Sequence, residues 1–347
     1  MESSEIAECA LRLVLDGQVD AARQQVGQLR ANVQINGSPA LTSRVMIVEG
    51  CAAAYVSDWP QARDRLTRAL LLARTTRSAP IESLSLAWLS YVDFAENHLE
   101  EAARRAVAVL GNPGCGPFAS YRAASVLASL LEISGLRSHS KKYFDLARRS
   151  ASKLSQPSAT SAVLFDIVTT RVSSERFDFE VLGKDVTEDQ LTLVSANSSR
   201  NFDLYGGIRV LDSLHGLVKG QVLNLLRQFD AAQSELCQAL QNTSGLSEAS
   251  VTQLKFELLW AELNLESIDR RPELLAGLTR VASDLVDHDD IAIAFSRIAR
   301  EYRTLKLFDL ATNANAKAAS SAEAVLRWRD EFSQFIIGLI ATQSMAN

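Results

Sequence analysis

Residues 43–76 read SRVMIVEGCAAAYVSDWPQARDRLTRALLLARTT, and the fold follows from where the small residues fall in this stretch. Apolar residues recur at helical spacing from Val45 to Tyr55, with Gly50 among them. Asp58, Trp59 and Pro60 break that helix, and Ala62, Leu66 and Ala69 then lie at i, i+4 and i+7 on a second one. A glycine facing such a stripe lets two backbones approach closely, so the stretch predicts an antiparallel helical hairpin with Trp59 closing its corner.

The same ruler fits upstream and downstream. Ala10, the break at Asp16-Gly17 and the stripe Val19, Ala22, Val26, Leu29 form an earlier hairpin. In the next one along, Ser90 stands for the glycine, Leu99 for the tryptophan, and Ala102, Ala106 and Val109 for the stripe. Residues 111–117, GNPGCGP, interrupt the chain. No Gly-Lys-Ser/Thr follows and no strand precedes them, so they read as a connection rather than a phosphate loop. Beyond lie Ala128, Gly135, Ser140, Phe144 and Ala147, and later Gly220, Phe229, Ala232, Leu236 and Ala239. Trp260, Leu263 and Pro272 mark one more hairpin, and Ala299, Tyr302, Phe308, Ala311 and Ala318 the last.

Between Ser173 and Asn201 the ruler fails. A helix over 160–172 is expected, but SSERFDFEVLGKDVTEDQ has few apolar residues at helical spacing, Gly183 would interrupt a helix, and Thr187 with Gln190 resembles a capping box. The expected organisation is therefore repeats over 1–156, a degenerate hairpin with an irregular insertion over 157–203, repeats over 204–320, and a capping helix over 321–347.

Composition agrees with a packed helical array. The chain has 347 residues, 47% of them hydrophobic, and a net charge of −5, which argues against a protein that coats nucleic acid. Cys9, Cys51, Cys115 and Cys237 show no metal-type pairing, and three of them fall near helical core positions, so free buried thiols in a reducing compartment are expected. Acidic residues stand near the N-terminus where a secretory signal carries basic ones, and no apolar run reaches the ~20 residues that span a bilayer, so a cytoplasmic location without membrane association is expected. The excess of Arg over Lys fits a GC-rich bacterial genome.

A small residue, an aromatic at the turn, then alanines seven apart: this pattern resembles the tetratricopeptide repeat. Gly50, Trp59, Ala62 and Ala69 match its motif in turn, as do Gly220, Phe229, Ala232 and Ala239. The spacing is nearer ~40 than ~34 residues, as in the long-helix variant of that family. The resemblance implies an all-α, right-handed α-solenoid of about eight antiparallel hairpins, closed by a C-terminal helix. It also implies a ligand groove on the concave face, lined by the first helix of each pair. The repeat register places Arg44, Tyr55, Tyr91, Phe94 and Arg122 in the N-terminal half of that groove, and Asn224, Arg300 and Arg303 in the other half. The Lys and Asn set with which chaperone-binding members clamp a terminal carboxylate is not reproduced. An apolar, aromatic groove suits an amphipathic segment or a partner helix.

Residues for chemistry are sparse, and no catalytic residue, metal ligand or cofactor is assigned. His98, His139, His215 and His288 have no partners at ligand spacing, and His98 and His139 read as solvated turn residues. Asp284, Asp287, His288, Asp289 and Asp290 precede a helix expected to open at Ile291, where carboxylates cap free amides. No nucleophile, kinase or dinucleotide signature occurs. The basic run from Arg137 to Lys153 lacks interleaved aromatics and reads as a solvated face. Phe332, Phe335, Ile336, Leu339 and Ile340 make a wide apolar stripe that covers the last hairpin and offers a self-association surface, as for a homodimer. The expected function is a non-enzymatic scaffold or adaptor that binds a protein or peptide. The alternative is a sensory module that binds a small ligand or signalling peptide and relays a shape change to a partner protein.

Overall fold

The computed structural model describes residues 3–36, 38–154, 156–185, 189–206, 211–243 and 246–346. They form α1 (Ser3–Leu15), α2 (Val19–Asn36), α3 (Pro39–Tyr55), α4 (Trp59–Thr75), α5 (Ala79–Ala95), α6 (Leu99–Leu110), α7 (Pro117–Ile133) and α8 (Arg137–Ser152). Then follow α9 (Pro157–Glu180), α10 (Asp189–Gly206), α11 (Asp212–Leu225), α12 (Phe229–Leu240), α13 (Glu248–Leu265), α14 (Arg271–Ala282), α15 (His288–Thr304) and α16 (Phe308–Ala346). There is no strand among the described residues, and helices adjacent in sequence pack in succession, as in an all-α solenoid.

The hairpins close through the contacts the ruler marks. A Cβ built on Gly50 would lie 2.6 Å from Cγ of Leu66, and one on Gly220 would lie 2.4 Å from Leu236. Any side chain at either glycine would push its hairpin apart. Ser90, which takes the glycine's place between α5 and α6, uses its hydroxyl to donate to the Ala102 carbonyl at 2.8 Å.

Turns within hairpins share one geometry. The residue two before α2, α4, α6, α8, α12 and α16 is left-handed: Gly17, Ser57, Asn97, Gly135, Arg227 and Lys306 have φ between 58° and 84°. The following amide then reaches back five residues, as from Asp58 N to Ala53 O at 3.0 Å and from Leu307 N to Tyr302 O at 2.8 Å. At Ser57 this turn leads into Asp58, whose carboxylate caps α4 by accepting from the Gln61 amide at 3.2 Å.

The chain divides into two compact units. Unit 1 holds Met1–Ile167, Asp203–Val210 and Phe332–Asn347, and unit 2 holds Val168–Phe202 and Leu211–Glu331. The division runs through α9 and α10. α9 itself continues through Glu180 rather than ending near Val172. Its extra turns are held by Phe177, which is fully buried against Ala292, Ile293 and Val325, and by ion pairs of Arg176 and Glu180. Gly183 does not interrupt a helix; it follows one, in left-handed conformation with φ 64°. Of the expected capping box, Thr187 lies outside the described residues and Gln190 falls in the first turn of α10.

At the other end, α16 runs unbroken through the boundary expected near Ser321. Between Phe308 and Ile337 it contains neither glycine nor proline, so nothing stops the helix at the repeat border. Of the four cysteines, all free, only Cys51 is buried; Cys9 and Cys115 are half-buried and Cys237 is exposed, because its position in α12 faces away from the Leu236 stripe.

Candidate functional site

In unit 1 the middle turns of α1 and α3 and the N-terminal ends of α5 and α7 line a trough of about 290 Å³. Its walls are apolar: Leu11 from α1, Ile47 from α3, Ile81 and Leu84 from α5, Phe118 from α7. Every residue that lines it comes from the first helix of a hairpin or that helix's N-cap. Pro80 and Pro117 stand within the first two positions of α5 and α7, where a missing amide hydrogen costs nothing. Two charged side chains reach the trough. Glu8 is paired with Arg12 at 3.1 Å, whereas Arg44, half-buried, has no hydrogen-bond or ion-pair partner among the described residues.

About one turn further along α5 and α7, the same faces close over a buried arginine. Arg122, 4% exposed, lies 4.6 Å from the ring centres of both Trp88 and Tyr91 and 5.1 Å from that of Tyr121. Tyr55 tilts against Trp88 at 6.2 Å, and Trp59 meets Tyr91 edge-on at 6.2 Å. The π faces take the charge that water would otherwise solvate. Arg122 donates to the Tyr121 hydroxyl at 3.2 Å, and its Nε has no partner. Burial pushes the Asp166 carboxyl above its ordinary range, and the charge of Arg122 and a hydrogen bond from Ser125 pull it partway back.

Three of the expected groove residues, Tyr55, Tyr91 and Arg122, are therefore brought together, but as a packed cage. Arg44 is the one that lines the trough. Phe94, on the last turn of α5, is half-buried. No protein-family model matches the chain, and no curated protein matches it significantly.

In unit 2 the corresponding faces are filled from within. Glu257 of α13 sits between Arg176 of α9 and Arg297 of α15, with the Arg297 Nη1 to Oε2 distance at 2.9 Å, and all three are buried. Arg297 also donates to Glu180 at 2.7 Å, and Arg176 to Asp290 at 3.2 Å. Asn224 of α11 is buried and donates to Glu257 Oε2 at 2.7 Å and to its carbonyl at 2.9 Å. It belongs to the core, which corrects its placement in a groove. Arg300 is exposed and paired with Glu180, and exposed Arg303 donates to Asn315 at 2.8 Å.

These pairings set the carboxyl groups apart. Burial opposes ionisation of Glu257 and Glu180, but the guanidinium groups of Arg297, Arg176 and Arg300 overcome it and hold both below their ordinary range. Asp290 goes the other way, pushed up to about 7 by burial and the nearby Asp289 and Asp287 charges against the pull of Arg176. The acidic run does not act as a row of caps before Ile291. α15 opens at His288 and Asp287 makes no side-chain cap; Asp289 accepts a first-turn amide, that of Asp290 at 3.0 Å, and also accepts from Ser173 at 3.1 Å, while Asp290 points into the core.

The remaining expectations fall as follows. His98 is exposed at the N-cap of α6, His139 is exposed in the first turn of α8, and His215 is buried. Lys142, Arg149 and Lys153 of the basic run are all exposed along α8. In the C-terminal stripe, Phe332 and Ile336 are buried, Leu339 and Ile340 half-buried, and Phe335 lies under Arg104 of α6 at 4.8 Å. Gln343 presses against Gly111, so this end of α16 meets the C-terminal end of α6 within unit 1. Trp88, Tyr121, Arg176, Glu257 and Arg297 were not singled out from sequence. The legible sign was a charge inside an apolar run, as in LKFELLWAEL around Glu257 and IAIAFSRIA around Arg297.

Proposed function

We propose that the chain is a non-enzymatic recognition scaffold of the tetratricopeptide-like class, and that unit 1 binds a protein segment in its trough. One observation carries this reading: four successive first helices pool apolar side chains into a single open trough whose rim holds an arginine with no partner of its own. Burying apolar side chains there is worth about 25 cal/mol per Å² removed from water. An unpaired guanidinium half-withdrawn from solvent favours a carboxylate at the matching point of the ligand. The fitting occupant is an amphipathic peptide segment with adjacent apolar residues and one acidic residue.

A displayed library of amphipathic peptides tests this. Selection on the wild-type protein is expected to enrich an acidic residue at fixed distance from an apolar pair, and Arg44→Glu is expected to exchange that acid for Lys or Arg. Leu84→Asp is expected to weaken binding at least tenfold. The same consensus recovered on Leu84→Asp protein, or an acid unaffected by Arg44→Glu, overturns the reading.

A further inference from the structure

A second cavity in unit 1, of about 270 Å³, lies between α2 and α4 above α3, and its chemistry differs from that of the trough. Three arginines reach it: Arg23 and Arg30, seven residues apart on one face of α2, and Arg65 of α4. Its one acidic lining residue is Glu49 of α3. The floor is made of small side chains, Ala52 and Ala53, and Gly27 leaves the α2 wall open, since a Cβ there would meet nothing within 4 Å.

Glu49 does not neutralise this set. Its Oε1 accepts from Arg30 Nε at 2.6 Å, and its Oε2 lies 3.3 Å from Arg65 Nε. One carboxylate thus faces two guanidinium forks, and Glu49 is the ion-pair partner of Arg65 among the described residues. Arg23 has only Asp20 at 3.4 Å, an aspartate that is 98% exposed and so largely screened by water. Three positive charges face one negative charge inside the cleft, a surplus of two.

We propose that this cleft binds a phosphomonoester group. A phosphate dianion matches the surplus, and its tetrahedral oxygens accept from planar forks more fully than a lysine's point charge would allow. The cleft is larger than a phosphoryl group and leaves room for the atoms that carry it. That carrier is either a small molecule or a phosphorylated side chain of a protein, and affinity separates the two.

The test is calorimetric titration at low ionic strength with inorganic phosphate, free phosphoserine, a phosphoserine pentapeptide and acetate. Phosphate and phosphoserine are expected to bind, and acetate at least tenfold more weakly. Affinity for phosphate is expected to rise from pH 6 to pH 8 as the second proton leaves. Arg65→Gln is expected to weaken phosphate binding at least tenfold. Gly27→Leu projects into the cleft without altering its charge, its Cβ meeting nothing within 4 Å, and is expected to do the same with an unchanged melting temperature. A pentapeptide that binds more tightly than free phosphoserine assigns the site to phosphorylated proteins, and equal affinities assign it to small phosphomonoesters. Phosphate binding that survives Gly27→Leu, acetate binding as tight as phosphate, or no phosphate binding by the wild-type protein overturns the proposal.

Discussion

Arg122 in unit 1 and Arg297 in unit 2 are both arginines of a hairpin's first helix, turned into the interior, yet they are neutralised by different means. Around Arg122 three aromatic rings stack within about 5 Å, and it donates a hydrogen bond to a phenol. Around Arg297 there is one ring, that of Trp260, and two buried carboxylates, Glu180 and Glu257. The π solution asks for no second buried charge. The ionic one does, and it propagates: Glu257 needs Arg176, and Arg176 needs Asp290. Unit 2 thereby spends its inner faces on a connected polar core, while unit 1 leaves the helix faces beside its cage apolar and open.

The sharpest way to break this contrast is to remove one partner on each side. Glu257→Gln leaves Arg176 and Arg297 buried without their shared carboxylate and is expected to cost about 3–5 kcal/mol in urea unfolding. Arg122→Met is expected to cost only about 1–3 kcal/mol, since methionine fills the cage among the rings and Asp166, already raised, takes up a proton. Equal losses would mean that the two arginines are held alike.

Next comes pH. Asp290 holds its proton to about pH 7 when folded but only to about pH 4 when unfolded, so the folded state binds the extra proton between those values. Stability is therefore expected to fall as pH rises from about 4 to about 7, by up to about 1.4 kcal/mol per pH unit. Glu180 and Glu257, both lowered, act with the opposite sign and lose their contribution below about pH 4. Asp290→Asn is expected to flatten the slope between pH 4 and 7, measured by thermal melts across that range, and an unchanged slope would remove Asp290 from the ionic core's titration.

The smallest effect sharpens the other side. A double-mutant cycle between Arg122→Met and Tyr91→Leu is expected to give a coupling of about 1 kcal/mol, the worth of a partly desolvated cation–π pair. A coupling near zero would leave the cage as packing alone.

The hairpins were readable because their contacts are local. Gly50 meets Leu66 and Gly220 meets Leu236 sixteen residues later, across one turn, so a residue-by-residue ruler finds them. The second half of α9 was not readable because Arg176 and Glu180 look like surface residues until Glu257 and Arg297, more than 75 positions away, arrive beside them. The break expected near Ser321 failed for a related reason: repeat register asked for it, but no residue there stops a helix.

Among first-helix arginines, the neighbouring side chains decided the outcome. Arg44 and Arg122 sit on equivalent faces of α3 and α7, yet one stands free at a trough and the other is enclosed by rings from α5 and its own helix. Helical content, hairpin pairing and turn positions were set by the order of small, large and capping residues, because those preferences act over a few neighbouring positions. Which charges are buried, which are free and where cavities remain was decided only by tertiary packing, because burial depends on side chains that come from distant parts of the chain.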